Sequence, residues 1–375
     1  MKKIQMVDLQ SQYQKIKDVV HTSIEEVLNS SMYINGPYVK EFQTDLEEYL
    51  NVKHVIPCAN GTDALQIAMM GLGLNPGDEV ITVDFTFAAS VEVIGLLQLT
   101  PVLVDVEIDT FNMDIDALKN AITPKTKAIV PVHLFGQCAN MEAILEIAKE
   151  HNLFVIEDNA QAIGADYTFA DGSIKKSGTI GHVGTTSFFP SKNLGCYGDG
   201  GAIFTDNDEL AHTLRGIVNH GMYQRYYHDV VGVNSRLDSI QAAVLKAKLP
   251  KLDSYCEARR NAAKRYSKLL RNNTNIITPV TSDFTSHVFH QYTLRITNGK
   301  RDELHQYLLS KNIPNAIYYP VPLHAQKAYR NDRYSEHHFK ATNQLVKEVI
   351  SLPMHTELDA EQQDFIGNTV LDFLN

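Results

Sequence analysis

The residues of this chain that are best suited to covalent chemistry lie near a glycine-rich turn. Lys192 lies in that turn, between predicted short strands over 186–189 and 202–205. An amine on a tight turn at a strand end can be fixed against a planar aldehyde, as a Schiff-base lysine requires. Asp158 and Gln161 follow another apolar strand, and a carboxylate there can pair with a protonated pyridine nitrogen. Together these features predict a pyridoxal phosphate (PLP) enzyme.

The other groups that such a cofactor needs are also present. Gly61 and Thr62 follow a strand and open a helix, where free amides and the helix dipole favour a phosphate dianion. Ser187, five residues before the lysine, could add a hydroxyl to the same phosphate. Phe87 could stack on the pyridine ring or pack in the core, and Gln161 could hydrogen-bond the ring hydroxyl.

Short apolar strands alternate with helices through the first half of the chain. Strands are predicted over 54–58, 79–83, 102–106, 127–132 and 153–157, with helices between them over 64–71, 88–97, 115–121 and 141–151. This alternation predicts an α/β fold with a mostly parallel sheet covered by helices on both faces. Ligands of such sheets bind beyond the carboxyl ends of the strands, where the predicted cofactor contacts lie.

The remainder of the chain predicts a second, smaller domain. A helical stretch over 239–270 should kink at Pro250, and the domain boundary is placed there. We expect a large domain over 1–248, which starts with an extended arm over 1–12, and a small α+β domain over 249–375. Within the small domain, strands are predicted over 290–296 and 315–319 and helices over 302–310, 340–350 and 360–374.

Composition excludes several classes of protein. A net charge of −10 argues against a nucleic-acid or membrane-surface binder, because such proteins bind through a basic patch and this composition is acidic. No apolar run approaches the roughly 18 residues of a membrane span, and the N-terminus lacks a signal-peptide pattern. The four cysteines form no CxxC pair and fit no zinc site. We therefore expect a cytoplasmic protein without a metal.

Longer motifs around these residues carry a family resemblance. They cover 60–65, 85–87, 157–161, 187–201, 232–238 and 318–324. In these motifs the chain resembles the nucleotide-sugar aminotransferases, over essentially its whole length. The resemblance implies PLP fold type I, with a mostly parallel seven-stranded sheet flanked by helices and a smaller C-terminal α+β domain. It implies that Lys192 forms the Schiff base, that Asp158 meets the pyridine nitrogen, and that the other contacts are those given above.

The resemblance also implies an assembly and a substrate. Asn234 would reach the cofactor phosphate of the other subunit of a homodimer with shared sites. The motifs are similar to those of the branch that aminates C3 of UDP-2-acetamido-2-deoxy-3-oxo-glucuronate for bacterial surface-polysaccharide (O-antigen) synthesis, with glutamate as donor. A carboxylated sugar on a pyrophosphate needs a cation, for which Arg225 is the candidate, although it could equally be a surface charge. Tyr318 and His324 would line the opposite wall.

Four alternatives stay open. The first is an aminotransferase for another 3- or 4-keto sugar on UDP or dTDP. The second is a PLP-dependent sugar dehydratase, which would carry histidine where this chain has Lys192. The third is a non-catalytic PLP-binding regulatory protein. The fourth is a Rossmann-type dehydrogenase, which the absence of GxGxxG after the first strand disfavours.

Overall fold

The central element of the structure is a seven-stranded β-sheet with helices on both faces. This computed structural model describes residues 2–374, so that Met1 and Asn375, which end the two predicted domains, lie outside the described residues. The strands are β1 (His54–Cys58), β2 (Glu79–Val83), β3 (Thr100–Val104), β4 (Thr126–Val130), β5 (Phe154–Asp158), β6 (Asp166–Thr168), β7 (Ile174–Lys176), β8 (Val183–Ser187), β9 (Gly201–Thr205), β10 (Met222–Gln224), β11 (Tyr227–His228), β12 (Ile276–Ile277), β13 (Tyr292–Ile296) and β14 (Val349–Leu352).

Thirteen α-helices accompany these strands within residues 2–374. They are α1 (Leu9–Gln14), α2 (Lys17–Ser30), α3 (Pro37–Leu50), α4 (Gly61–Gly71), α5 (Ala89–Leu96), α6 (Ile115–Ala121), α7 (Met141–His151), α8 (Asp208–Ile217), α9 (Ser239–Lys248), α10 (Leu252–Leu270), α11 (Arg301–Ser310), α12 (Lys340–Glu348) and α13 (Ala360–Leu374). None of these helices is long and apolar enough to cross a membrane.

The strand order of the central sheet confirms the predicted fold class. The order is β1-β9-β8-β5-β4-β2-β3. The pairs from β8 to β3 are all parallel, whereas β9 runs antiparallel to both β8 and β1. The parallel strands therefore deliver their carboxyl ends to one edge of the sheet, because each is followed by a crossover on a helix or loop.

Both faces of the sheet are buried, and neighbouring strand residues serve opposite faces. Val80 of β2 packs into the apolar cluster that contains α4, whereas Ile81 packs into the cluster that contains α3. Ile156 and Val155 of β5 divide in the same way. This two-sided burial explains why the strands are short, nearly continuous apolar runs rather than alternating ones.

The C-terminal part of the chain has its own small sheet, in the order β12-β13-β14. Its core is formed by this sheet with α10, α11 and α13. The helix predicted over 340–350 ends at Glu348, and the next four residues form β14, paired antiparallel with β13. The strand predicted over 315–319 was wrong, because only Ala316 forms a bridge, to Ser351.

Two further predictions concern the kink at Pro250 and the N-terminal arm. Pro250 lies in a one-turn 3-10 helix, Leu249–Lys251, that separates α9 from α10, as the predicted kink required. The division of the chain into domains at that point stays a prediction. The extended arm over 1–12 was wrong from Leu9 onward, because Asp8 caps α1 through its hydrogen bond from the Ser11 amide.

Candidate active site

A cavity of about 870 Å³ lies at the carboxyl ends of the parallel strands. Its walls contain eight residues that the sequence predicted for the site, namely Gly61, Thr62, Phe87, Asp158, Gln161, Ser187, Lys192 and Tyr318. Because the cavity is formed from the ends of five separate strands (β1, β2, β4, β5 and β8) and their loops, only the sheet brings these residues together.

Asp158 ends β5 with its carboxylate buried beneath the cavity. Its Oδ2 accepts a hydrogen bond from the Ser90 hydroxyl at 2.8 Å, and its Oδ1 accepts one from the Ala160 amide at 3.2 Å. Both donors are neutral, so they orient the carboxylate without neutralising it. The hydroxyl oxygens of Thr86 and Ser90 are 3.3 Å apart, so Thr86 extends the chain of hydrogen bonds. An oriented carboxylate of this kind can receive a pyridinium N–H.

Gln161 is held from both ends of its amide. Its Oε1 accepts a hydrogen bond from the Phe135 amide at 2.8 Å, and its Nε2 donates to the Tyr319 hydroxyl at 3.2 Å. Burial raises the pKa of Tyr319, so its phenol stays protonated at neutral pH. Phe87 lies nearby, with its ring centroid 6.4 Å from that of Tyr319, and its side chain is 57% exposed. A flat ring could be enclosed between these groups.

The N-terminus of α4 opens into the cavity beside the end of β8. Asn60 caps this helix by accepting a hydrogen bond from the Asp63 amide at 2.8 Å. A side chain on Gly61 would bring its Cβ to 2.7 Å from the Cβ of Ser187, so glycine is required for this close approach. The free amides of Gly61 and Thr62 and the hydroxyl of Ser187 therefore form a cradle that suits a phosphate. The residues present fit pyridoxal phosphate.

Lys192 lies at the tip of a turn that returns to its own starting strand. Its amide donates to the Phe189 carbonyl at 2.8 Å, and the Cys196 amide closes the turn onto the Phe188 carbonyl at 2.8 Å. Burial lowers the pKa of the Lys192 amine to about 8, while the negative charge of Asp158 acts in the opposite direction. An amine with this pKa has a substantial free-base fraction near pH 8, far more than an ordinary lysine, and a free base can attack an aldehyde.

His290 is a cavity residue that the sequence analysis missed. Its side chain is buried, and its Nδ1 has no hydrogen-bond partner within residues 2–374. Burial lowers its pKa well below the usual range, and the charges of Lys192 and Arg259 act in the same direction, so the imidazole is neutral. Ser90 and Tyr319 were missed as well. Tyr319 lies in the motif over 318–324, but no local motif marks Ser90 or His290, because each reaches the site from a different part of the chain.

The structure does not bring three predicted residues to the cavity wall. Arg225 is exposed in the β10–β11 hairpin, where its Nη2 donates to the Tyr226 hydroxyl at 3.1 Å. Asn234 is exposed beyond that hairpin, in a bridge to Asn219.

His324 has a different surrounding from the one predicted. It is buried, its Nδ1 lies 2.7 Å from Oδ2 of Asp84, and its ring stacks on Phe339 at 4.4 Å. Burial alone would lower the pKa of His324, but the hydrogen bond and charge of Asp84 raise it overall. Asp84 directly follows β2, so this pair ties the segment with Tyr318 to the strand end that leads to Phe87.

Comparison with known proteins identifies the family. Residues 14–371 match the DegT/DnrJ/EryC1/StrS aminotransferase family. The chain belongs to this family. A structure of a family member from Brucella abortus superimposes with a TM-score of 0.94 at 41% identity, covering 99% of this chain and 100% of that one. NtdA from Bacillus subtilis, with bound cofactor PMP, superimposes with a TM-score of 0.91 at 30% identity, covering 100% of this chain and 86% of its own.

Curated members of the DegT/DnrJ/EryC1/StrS family differ in their described activities. The chain is 46% identical, over 99% of its length and 98% of the relative, to the pleiotropic regulatory protein of Geobacillus stearothermophilus. It is 45% identical, over 95% of its length and 96% of the relative, to UDP-2-acetamido-2-deoxy-3-oxo-D-glucuronate aminotransferase of Pseudomonas aeruginosa. It is 42% identical, over 96% of its length and 95% of the relative, to UDP-N-acetyl-3-dehydro-α-D-glucosamine 3-aminotransferase of Acidithiobacillus ferrooxidans.

These similarities confirm the predicted enzyme class and cofactor. The protein is a sugar aminotransferase of PLP fold type I that uses pyridoxal phosphate. The dehydrogenase alternative is thereby excluded. Among residues 2–374, no cluster of three or more His, Cys, Asp or Glu side chains could hold a metal ion.

Proposed function

We propose that the protein transfers an amino group from glutamate to C3 of UDP-2-acetamido-2-deoxy-3-oxo-glucuronate. The observation that carries this proposal is the 45% identity, over 95% of the chain, with the Pseudomonas aeruginosa enzyme of that description. The Acidithiobacillus ferrooxidans relative also acts at C3 of a UDP-linked 3-keto sugar, which supports the position of amination. The product would serve bacterial surface-polysaccharide synthesis, such as that of O-antigen, in the cytoplasm.

The residues of the cavity divide into those that hold the cofactor and those that act on it. Lys192 would hold it covalently, Asp158 would pair with its ring nitrogen, and Gln161 would meet its ring hydroxyl. Gly61, Thr62 and Ser187 would bind its phosphate, and Phe87 would cover its ring. When bound, the cofactor supplies an electron sink for breaking the bonds at the reacting carbon.

Lys192 is also our candidate for the proton transfer. Because its pKa is lowered to about 8, its Nζ can accept and return a proton at neutral pH. Once the donor amine has displaced it from the cofactor, Nζ would take the proton from the donor's α-carbon. In the second half-reaction it would deliver a proton back at C3 of the sugar. Asp158 would stay in place beside the ring nitrogen throughout, because the Ser90 hydroxyl and the Ala160 amide orient its carboxylate.

A homodimer with shared sites would give the exposed residues a role. Asn234 would contact the cofactor phosphate of the other subunit, and Arg225 would meet the carboxylate or pyrophosphate of the sugar bound there. Tyr318, in the cavity wall, would lie on the opposite side of that sugar. Among the lining residues within 2–374, Lys192 is the only lysine or arginine, and Asp63, Asp158 and Asp199 are acidic. A substrate with both a pyrophosphate and a carboxylate therefore needs a further cation.

The test compares the uronate with its neutral 6-hydroxy analogue as acceptors for the amino group. The uronate should be the better substrate in kcat/KM. Arg225→Ala should raise KM for the uronate about tenfold and for the neutral sugar by less than about twofold, because only the uronate loses a charge-assisted hydrogen bond. Arg225→Lys, which keeps the charge, should recover part of the loss. Equal effects on both sugars would remove Arg225 from uronate recognition, and preference for another keto sugar would overturn the substrate.

A regulatory role is the second candidate, since the most similar of these relatives is described as a pleiotropic regulatory protein. That role without catalysis predicts a bound cofactor that no amino donor converts. Incubation with glutamate, followed by absorbance, separates the two candidates. Conversion of the cofactor and formation of 2-oxoglutarate would support the aminotransferase, and a stable spectrum with every donor would support the regulator.

A further inference from the structure

Lys248, the last residue of α9, is a buried cation that the proposed mechanism does not use. Its side chain is 1% exposed, and its Nζ lies 4.5 Å from the ring centroid of Tyr197. Within residues 2–374, no carboxylate forms an ion pair with it. Burial lowers its pKa to about 8, so the amine is mainly protonated at neutral pH.

The polar contact of this amine is with the turn that carries Lys192. Nζ of Lys248 donates to the carbonyl oxygen of Gly195 at 2.7 Å. Gly195 itself is pressed against the beginning of the turn, since a Cβ there would lie 2.4 Å from the Pro190 carbonyl oxygen. The hydrogen bond therefore holds the returning end of the turn at the point where it touches the beginning.

The same helix holds the turn at a second point. Oε1 of Gln241, about two turns before Lys248, accepts a hydrogen bond from the Tyr197 amide at 2.8 Å. One face of α9 thus fixes residues 195 and 197, while Lys192 lies at the free tip of the turn. Burying an ammonium without a carboxylate is costly. The fold nevertheless contains this charged residue in its interior.

We propose that Lys248 is a positioning residue, whose buried ammonium fixes the Gly195 carbonyl and so sets the place of Lys192 in the cavity. The effect on catalysis rests on the proposed role of Lys192. The effect of Lys248 on the turn does not depend on the cofactor.

The primary test is hydrogen exchange of the cofactor-free protein, read on peptides that cover 188–198. Lys248→Met keeps the length of the aliphatic chain and removes the donor. It should speed exchange in this segment by about tenfold or more, because a hydrogen bond from a charged group is lost. Lys248→Gln, which is one atom shorter than lysine but keeps a neutral amide donor, should lie between Lys248→Met and the unchanged protein.

Lys246→Met is the matched control. Lys246 lies on the same helix but is half-exposed and paired with Glu41 and Asp45, at 3.1 and 3.2 Å. Its substitution should leave exchange over 188–198 unchanged. The proposal is overturned if Lys248→Met exchanges like the unchanged protein over 188–198, or if exchange rises equally over the whole chain. Should Lys248→Met fail to fold, an unchanged rate in Lys248→Gln would overturn it and a local increase would support it.

A second measurement connects the turn to its lysine. The rate at which added pyridoxal phosphate becomes fixed to Lys192, trapped with borohydride, should fall about tenfold in Lys248→Met and less in Lys248→Gln. An unchanged rate would contradict the positioning role. If the label in the unchanged protein falls on another lysine, the proposed function of Lys192 fails, whereas the exchange result still decides whether Lys248 holds the turn.

Discussion

The turn that carries Lys192 and the hairpin that carries Arg225 are held in opposite ways. The turn is closed by its own amides, accepts a hydrogen bond from Lys248, and contains the fully buried Leu194 and Cys196. The hairpin projects outward, with Tyr226 75% exposed and Arg225 bonded to that neighbour alone among the side-chain contacts of residues 2–374. The groups for cofactor chemistry are thus arranged within one chain, while Arg225, the cation proposed for substrate recognition, does not line its cavity.

The largest effect expected from this difference is at the turn. Lys192→Ala should abolish turnover by about five orders of magnitude, because both the covalent attachment and the proton carrier are lost. The variant should still bind the cofactor non-covalently through the phosphate cradle. Borohydride treatment of the unchanged protein, with peptide mass spectrometry, should place the label on Lys192. A label elsewhere would end the assignment, and Lys246→Ala serves as the control.

Asp158→Asn should have the next largest effect. The two side chains are nearly isosteric, so the fold should survive, but a neutral amide cannot keep the ring nitrogen protonated. We expect kcat to fall by about a thousandfold, measured with glutamate as donor. Asp199→Asn, another carboxylate of the cavity wall but an exposed one, should change kcat by less than about threefold. Similar small losses in both variants would make Asp158 a structural strand-end residue.

A third prediction concerns Asn234 and the subunit whose cavity it contacts. If Asn234 acts at the site of another subunit, a heterodimer of Asn234→Ala and Lys192→Ala has one site with both lesions and one with neither. Each parent alone should be nearly inactive, and mixed, reassociated protein should regain about half the activity per heterodimer. Recovery is measured by turnover together with a tag that counts heterodimers. Heterodimers without activity would place Asn234 at its own subunit's site.

The smallest effect expected is a change in the titration of Lys192. In the cofactor-free protein its reactivity should rise with pH through about 8, because burial lowers its pKa and the free amine is the nucleophile. An exposed lysine would rise near pH 10.4 instead. Competitive labelling with acetic anhydride, read on the Lys192 peptide, gives the midpoint. Asp158→Asn should lower it further, since the carboxylate's charge raises this pKa, and an unchanged midpoint would show that the two groups do not interact.

The sequence was most informative where a local pattern has one structural meaning. Gly61 after an apolar strand indicates a helix N-terminus, and a lysine between short strands and glycines indicates a turn at a strand end. The strand over 349–352 was missed, and its first two residues were predicted as the end of the preceding helix, because four apolar-rich residues have no distinguishing period. Local patterns also predicted alternating strands and helices. That alternation predicted the parallel sheet and the ligand site at the carboxyl ends of its strands.

The sequence by itself therefore determined the sheet, its ligand-binding edge and the residues at the strand ends. Only the tertiary structure decided which distant side chains meet there. Ser90 reaches Asp158, His290 enters the cavity, and His324 pairs with Asp84 across 240 positions instead of lining the site. The physical reason is that a buried polar group is stabilised by whatever donor or acceptor the packing places within about 3 Å, and no period in the sequence records that position.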